Sequence, residues 1–249
     1  MNTTSSHSTD DTIPSVPSSG SAKPANKVSP NAFQWLALGA IAGPVLFTLG
    51  WIILGALSPG YTAWGIHIAP YSPISQPISG LGVTAPFMNA IFVLSGFLLL
   101  VGVIGIFQGI REMGAFERWS CIVLFAFSPL GMVMDGFFTL ETILLHTVGF
   151  LLACATPILS FVVVGITLRR IKSFRRFGNW LLLGSPLTLA LLILYFLTFS
   201  PTVAGLQTGV AGLTERTLGV EVHIWFVVLG VLVFQRLSGK QARDLKKFG

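Results

Sequence analysis

The stretch that decides the fold is Phe87–Gly109, FMNAIFVLSGFLLLVGVIGIFQG, twenty-three residues without a single charge. As a helix rising 1.5 Å per residue it reaches about 34 Å, enough to cross the ~30 Å hydrocarbon core of a bilayer. The segment after it, Ile110–Arg118, carries Arg111 and Arg118, and a second apolar run opens at Trp119. Outward in both directions the alternation repeats. Spans are expected at Phe33–Leu57, Phe87–Gly109, Trp119–Phe138, Glu141–Leu168, Trp180–Phe199 and Thr217–Phe234. The third is clean only to Met134, so Asp135 and Gly136 belong either to it or to the loop that follows. Pro44, Pro129, Pro157 and Pro186 lie inside spans and should kink them, which bundles tolerate where neighbours satisfy the freed carbonyls.

Composition agrees with this reading. Of the 249 residues, 53% are hydrophobic and 10% charged, where a soluble domain carries about a quarter charged residues. The expected class is all-α, a polytopic membrane protein of six transmembrane helices. Cys121 and Cys154 sit in apolar runs and read as core fillers, with no disulfide framework or metal motif around them. Residues 1–32 are rich in Ser, Thr, Pro and Asn and are expected to form a disordered tail, with His7 solvated. Without a charged start and with too long an apolar run behind it, this tail is no signal peptide. The organisation is thus a tail (1–32), a six-helix membrane domain (33–237) and a basic tail (238–249).

Loop charge sets the orientation. Lys23 and Lys27 precede the first span, Arg111 and Arg118 follow the second, and Arg169, Arg170, Lys172, Arg175 and Arg176 follow the fourth. Arg236, Lys240, Arg243, Lys246 and Lys247 follow the sixth, which puts fourteen of the fifteen basic residues on one side. Only Arg216 is on the other. Basic flanks are retained in the cytoplasm, so both termini are expected inside a plasma membrane. The net charge of +6 is then a topology signal and an attraction to anionic headgroups, with no nucleic-acid partner. Gly39 with Gly43 and Gly105 with Gly109 form small-xxx-small pairs, expected to pack helices within the bundle rather than between copies.

Away from the basic side the ionisable residues are His67, Asp135, Glu141, His146, Glu215, Arg216, Glu221 and His223. His146 and His223 lie about five and six residues into their spans, both roughly 8–9 Å below the outer surface, and so can meet. Thr139, Thr142 and His146 form one helical stripe, and Arg216, Gly219 and His223 another. Glu221 falls on the face opposite His223, toward headgroups or another helix. Ionisable residues inside a membrane are costly enough to suggest function. A structural reading stands beside that one: Arg216 pairs with Asp135 or Glu215, and the histidines hydrogen-bond to Thr or backbone as interhelical glue. His67, in a loop, is read as solvated.

The first outer loop, Ser58–Pro86, has no Lys, Arg, Asp or Glu but contains Tyr61, Trp64 and Tyr71 with Pro70, Pro73 and Pro77. The aromatics suit a membrane interface and the prolines forbid a regular helix. The loop is expected to fold over the outer mouth of the bundle as a lid.

Three pieces of sequence together resemble a known family. They are Tyr71-Ser-Pro-Ile-Ser-Gln-Pro-Ile-Ser-Gly-Leu-Gly82 with Met88-Asn89, Gly131-x-x-x-Asp135 with His146, and Gly212-Leu213-x-Glu215-Arg216 with Trp225. Their order and spacing over residues 33–237 resemble the family called domain of unknown function 998. The pattern departs at Met134, where the family has Pro before the Asp. The resemblance implies a six-helix membrane fold and no established activity.

For function, the residues point first to a non-catalytic module binding a lipid or small ligand at a polar site at the extracytoplasmic mouth. Its candidate residues are Ser79, Asp135, His146, Glu215, Arg216 and His223. The alternative is a metal-dependent intramembrane lipid hydrolase, with zinc on His146, His223 and Asp135 and with Ser79 or Glu215 handling protons. A haem protein with His146 and His223 as axial ligands is third, and a transporter fourth, without an inverted repeat or a midplane charge to support it. No cofactor is required by the first reading, and membrane lipids are the expected partners. P-loop, Rossmann and nucleophile-elbow patterns are absent from the sequence.

Overall fold

The structure, a computed structural model, describes Met1 and residues 30–63, 65–200 and 208–245. Most of the expected N-terminal tail with His7, Lys23 and Lys27, the belt residue Trp64, and residues 246–249 of the basic tail lie outside the described residues. The first span is α1 (Pro30–Ala37) and α2 (Gly39–Leu57), and the hairpin of β1 (Tyr61–Ala63) and β2 (Ile66–Ile68) follows. A 3-10 turn (Ile78–Gly80) and α3 (Leu81–Thr84) lead into α4 (Pro86–Gly109) and α5 (Ala115–Phe137). Another 3-10 turn (Leu140–Thr142) opens the fourth span, formed by α6 (Ile143–Cys154) and α7 (Thr156–Arg169). Last come α8 (Arg175–Thr198) and α9 (Ala211–Leu245). Among the described residues, six helical segments are long and apolar enough to cross a membrane, from Ala32–Leu57 to Ala211–Gly239. The protein is a multi-pass membrane protein.

One boundary left open is decided and another differs from expectation. The third span runs to Phe137, one residue short of the expected end, so Asp135 and Gly136 are helical. The sixth begins at Ala211 rather than Thr217, so Glu215 and Arg216 belong to its first turns. Charged side chains extend a span where the fold gives them partners, and the loop before the second span supplies those partners here.

Among the described residues, the departure from an all-helical chain also lies in that loop. Tyr61 pairs with Ile68 and Ala63 with Ile66 in an antiparallel hairpin. Its turn needs Gly65 at φ 74°, and Gly60 at φ 122° leads in, a region glycine enters without a side-chain penalty. After the hairpin the chain dives inward, and Ser75, Gln76, Ile78 and Leu81 are all buried. The loop is a plug seated in the end of the bundle.

Small residues position the helices around it. A Cβ on Gly102 of α4 would lie 2.0 Å from the Ala40 amide nitrogen, and one on Gly39 would lie 2.2 Å from the Leu98 carbonyl. Backbone meets backbone there, the close approach that glycine allows in membranes. The packing runs from α4 to α5, from α5 to α6 and α7, then to α8 and α9, and α9 returns to α2. The ring is closed. At the basic end Gln34 donates to Ser238 Oγ (2.5 Å), Arg236 pairs with Glu112, and Arg170 lies 3.4 Å from Glu117. The chain start, the α4–α5 turn, the α7–α8 turn and the end of α9 therefore share one end, and the hairpin occupies the other.

Candidate functional site

Between the plug and the helices, in the hairpin half of the bundle, lies a cavity of about 50 Å³. Helical periodicity builds its wall. Ser128, Met132 and Asp135 come from one face of α5, His146, Phe150 and Ala153 from one face of α6, since residues three or four apart share a side. Glu215, Gly219, Val222 and His223 come from α9, and Ile78 and Ser79 from the plug. Phe47 and Phe92 border it, and Phe47 meets the His223 ring edge-on at 5.4 Å.

Hydrogen bonds fix the tautomer of each histidine. His146 Nδ1 is 2.8 Å from the Phe138 carbonyl oxygen. A carbonyl only accepts, so Nδ1 carries the proton and Nε2 presents a lone pair. His223 Nε2 is 3.3 Å from Met132 Sδ, again an acceptor, so Nε2 donates. The lone pair of His223 then sits on Nδ1, which is buried without a partner. Asp135 Oδ1 lies 3.4 Å from His146 Nδ1 and receives no hydrogen bond. It fits only because residue 149 is glycine, where a Cβ would stand 2.3 Å from that oxygen.

Glu215 and Arg216 grip the plug. Glu215 Oε2 accepts the Ile78 amide at 2.6 Å. Arg216 Nη1 donates to the carbonyls of Gln76 (2.9 Å) and Gly212 (2.8 Å), and Nη2 donates to Tyr71 Oη. Tyr71 passes its own proton to the Pro77 carbonyl at 3.2 Å, and the guanidinium stands 5.1 Å from the Trp51 ring centre. Burial raises the Tyr71 phenol to about 12, against the pull of Arg216 in the opposite direction. Tyr61 donates to Gln76 Oε1 at 2.9 Å, and burial raises its phenol above the ordinary range as well.

Of the six residues singled out from sequence, Ser79, Asp135, His146, Glu215 and His223 line the one cavity. Arg216 does not. It clamps the plug, and it pairs with neither Asp135 nor Glu215. Both expected stripes also shift. Thr139 and Thr142 belong to a turn ahead of α6 and hydrogen-bond locally, so they share no face with His146. On α9 the cavity face starts at Glu215 rather than Arg216. Glu221 meets another helix, accepting from Thr188 at 2.9 Å, and accepts from Trp225 at 2.5 Å. His67 sits on the exposed face of the hairpin, 3.1 Å from Thr62 Oγ1. Sequence reasoning missed Ser128 and Met132, although their spacing from Asp135 places them on its helical face, and it missed Gly149, for which only the tertiary contact speaks.

The cofactor readings fare poorly. Among the described residues no three His, Cys, Asp or Glu side chains gather closely enough to hold a metal ion, whereas a catalytic zinc takes about three protein ligands. A porphyrin needs several hundred Å³ in the manner of other large ligands, and the space between the histidines is about 50 Å³. The residues present do not fit either group.

No curated protein and no solved structure matches the chain. The family described as "Protein of unknown function (DUF998)" matches residues 41–232, slightly less than the 33–237 over which the resemblance was read. With well over half its length matched, the chain belongs to the DUF998 family of proteins of unknown function.

Proposed function

We propose that this protein is a plasma-membrane binding module that takes a lipid or other small amphiphile into the cavity beneath the plug. One observation carries the reading: Asp135 Oδ1 and His223 Nδ1 are buried at the cavity wall without hydrogen-bond partners. An unsatisfied buried polar atom costs about 1–3 kcal/mol, and a bound molecule offsets that cost. The division into a tail (1–32), a membrane domain (33–237) and a basic tail (238–249) belongs to the same proposal. So does the orientation, with both termini cytoplasmic and the hairpin end outside, which the excess of Lys and Arg at the opposite end supports. Nucleic acid plays no part.

The test is native mass spectrometry of full-length protein taken into mild detergent, beside Asp135→Asn and Gly219→Leu variants. Wild type retains a small molecule that both variants lose. A wild type that carries none, and gains none on adding back a membrane lipid extract, overturns the reading. For orientation, single cysteines replacing Thr62 or Lys172, in a chain without Cys121 and Cys154, are challenged on intact cells with an impermeant maleimide. Labelling at residue 172 instead of 62 reverses the topology.

A further inference from the structure

The cavity has a side exit. A second hollow, of about 70 Å³, shares Ser79, His146, Phe150 and Glu215 with it and continues between α6 and α8. Its outer walls are Ile143 and Phe196, half-exposed on the apolar surface of the bundle. Helix α6 packs mainly on α5, and α8 on α7 and α9. Across the crevice the two meet through rings, with Phe150 5.0 Å from Tyr195 and 6.1 Å from Phe196. An aromatic-lined seam that opens on lipid accommodates an acyl or alkyl chain, and among the described residues its lining holds no charge apart from Glu215 at its inner end.

The inner chamber sets the other end of the ligand. At about 50 Å³ it has room for roughly three to five waters at ~10–15 Å³ each, hence a head group of only a few atoms. Beside the Ser79 hydroxyl and the Cys154 thiol, which can donate or accept, its unused polar atoms are acceptors. His146 Nε2 and His223 Nδ1 are lone-pair nitrogens once their partners fix the tautomers. Asp135 and Glu215 stand on the same wall, and no Lys or Arg lines the chamber among the described residues. Such a lining welcomes O–H and N–H groups and repels an anionic phosphate or carboxylate.

We infer that the site is specific for a single-chain amphiphile with a small hydrogen-bond-donating head, a hydroxyl or an amine, and no anionic group. The head enters the chamber between His146 and His223, and the tail leaves between α6 and α8 into the bilayer. This rests on the binding function proposed above and names its ligand class. Phe150, common to both hollows, is the gate between them.

The experiment uses full-length protein in lipid nanodiscs and three probes with a diazirine on the tail: hexadecylamine, monopalmitoylglycerol and hexadecyl phosphate. Crosslinked peptides are mapped by mass spectrometry. The amine and the glyceride label α6 and α8 around Phe150 and Phe196, and the phosphate labels them at least about tenfold less, the equivalent of one lost charge-assisted hydrogen bond. His223→Leu lowers amine and glyceride labelling by about the same factor. Gly219→Leu, whose Cβ meets nothing within 4 Å, blocks the chamber from a folded chain and abolishes it. Equal labelling by all three probes overturns the head-group preference and leaves the binding function standing. Label confined to the groove between α2 and α9, at Leu49 and Val228, overturns the path. No specific label from any probe, with no molecule retained in native spectra, overturns both proposals.

Discussion

Ser128 Oγ donates to the carbonyl oxygen of Ala153 at 2.8 Å, from α5 across to α6. Ala153 is four residues before Pro157, and proline has no amide proton to offer that carbonyl. The fourth span breaks at Ala155, between α6 and α7. A hydroxyl from the neighbouring helix replaces the missing donor, the compensation that lets proline stand inside a membrane helix. The break also lies beside the cavity, whose wall includes both Ser128 and Ala153.

Ser128→Ala should therefore cost about 1 kcal/mol of bundle stability, within the range measured for interhelical hydrogen bonds in membranes. In a Pro157→Ala chain, where residue 157 supplies the amide itself, the same change should cost close to nothing. Unfolding of the four chains in detergent completes the cycle. Equal losses in both backgrounds would show that Ser128 acts through something other than this carbonyl.

Arg216→Ala removes two hydrogen bonds to the plug, at the Gln76 carbonyl and Tyr71 Oη, and a third to the Gly212 carbonyl of its own helix. The expected loss is about 2–4 kcal/mol. Arg216→Lys should recover only part of it, since a single ammonium cannot reproduce a planar fork. The loop contains no tryptic site, so chymotrypsin at Tyr61 and Tyr71 is the readout. Cleavage there should quicken at least about tenfold in the alanine variant; unchanged cleavage would mean that the plug is held elsewhere.

Tyr71 gives the fold an alkaline limit. In the folded chain its phenol holds its proton to about pH 12, whereas the ordinary value is 10.0. The unfolded chain thus loses that proton first. Stability from this group is complete below pH 10 and drains away as pH rises from 10 toward 12. The amount at stake is on the order of 2 kcal/mol. Tyr71→Phe should flatten the fall of stability with pH in that window, although its stability at neutral pH is lower for want of the hydrogen bonds. Denaturation measured at a series of alkaline pH values checks the slope.

Two glycines should respond in opposite directions. Gly102→Ala drives a methyl against the Ala40 backbone at 2.0 Å, and since neither backbone can yield, the helices must part at about 1–3 kcal/mol. Gly219→Ala meets nothing within 4 Å and should gain about 0.5–1 kcal/mol from helix preference alone. Melting temperatures in one detergent distinguish them. A destabilised Gly219→Ala would show that α9 packs more tightly there than the geometry indicates.

How far the sequence carried the reading depends on the kind of signal. The run Phe87–Gly109 announces a span because the bilayer core demands about twenty apolar residues, whatever the neighbours do. The family resemblance rested on local motifs and held. Helix ends were less legible. Asp135 could be read as span or loop, and Glu215 and Arg216 looked like loop residues, because charge at a span end reads as contact with water. The plug supplies Glu215 and Arg216 with burial and partners in place of water, and no local pattern announces that.

The site was half legible for the same reason. Costly ionisable residues in apolar runs stand out, so Asp135, His146, Glu215 and His223 were found from their chemistry alone. Which way each side chain turns depends on helix phase and on contacts with other elements, such as Met132 for His223 and Ile78 for Glu215. The sequence by itself determined the spans, the crowding of basic residues at one end and the short set of polar residues near the other, since these follow from solvation of each segment. Only the tertiary structure decided that Arg216 clamps a loop, that Gly149 makes room for Asp135, and that His146 and His223 line one chamber. Those facts live in distances between helices, and solvation of a single segment carries no information about them.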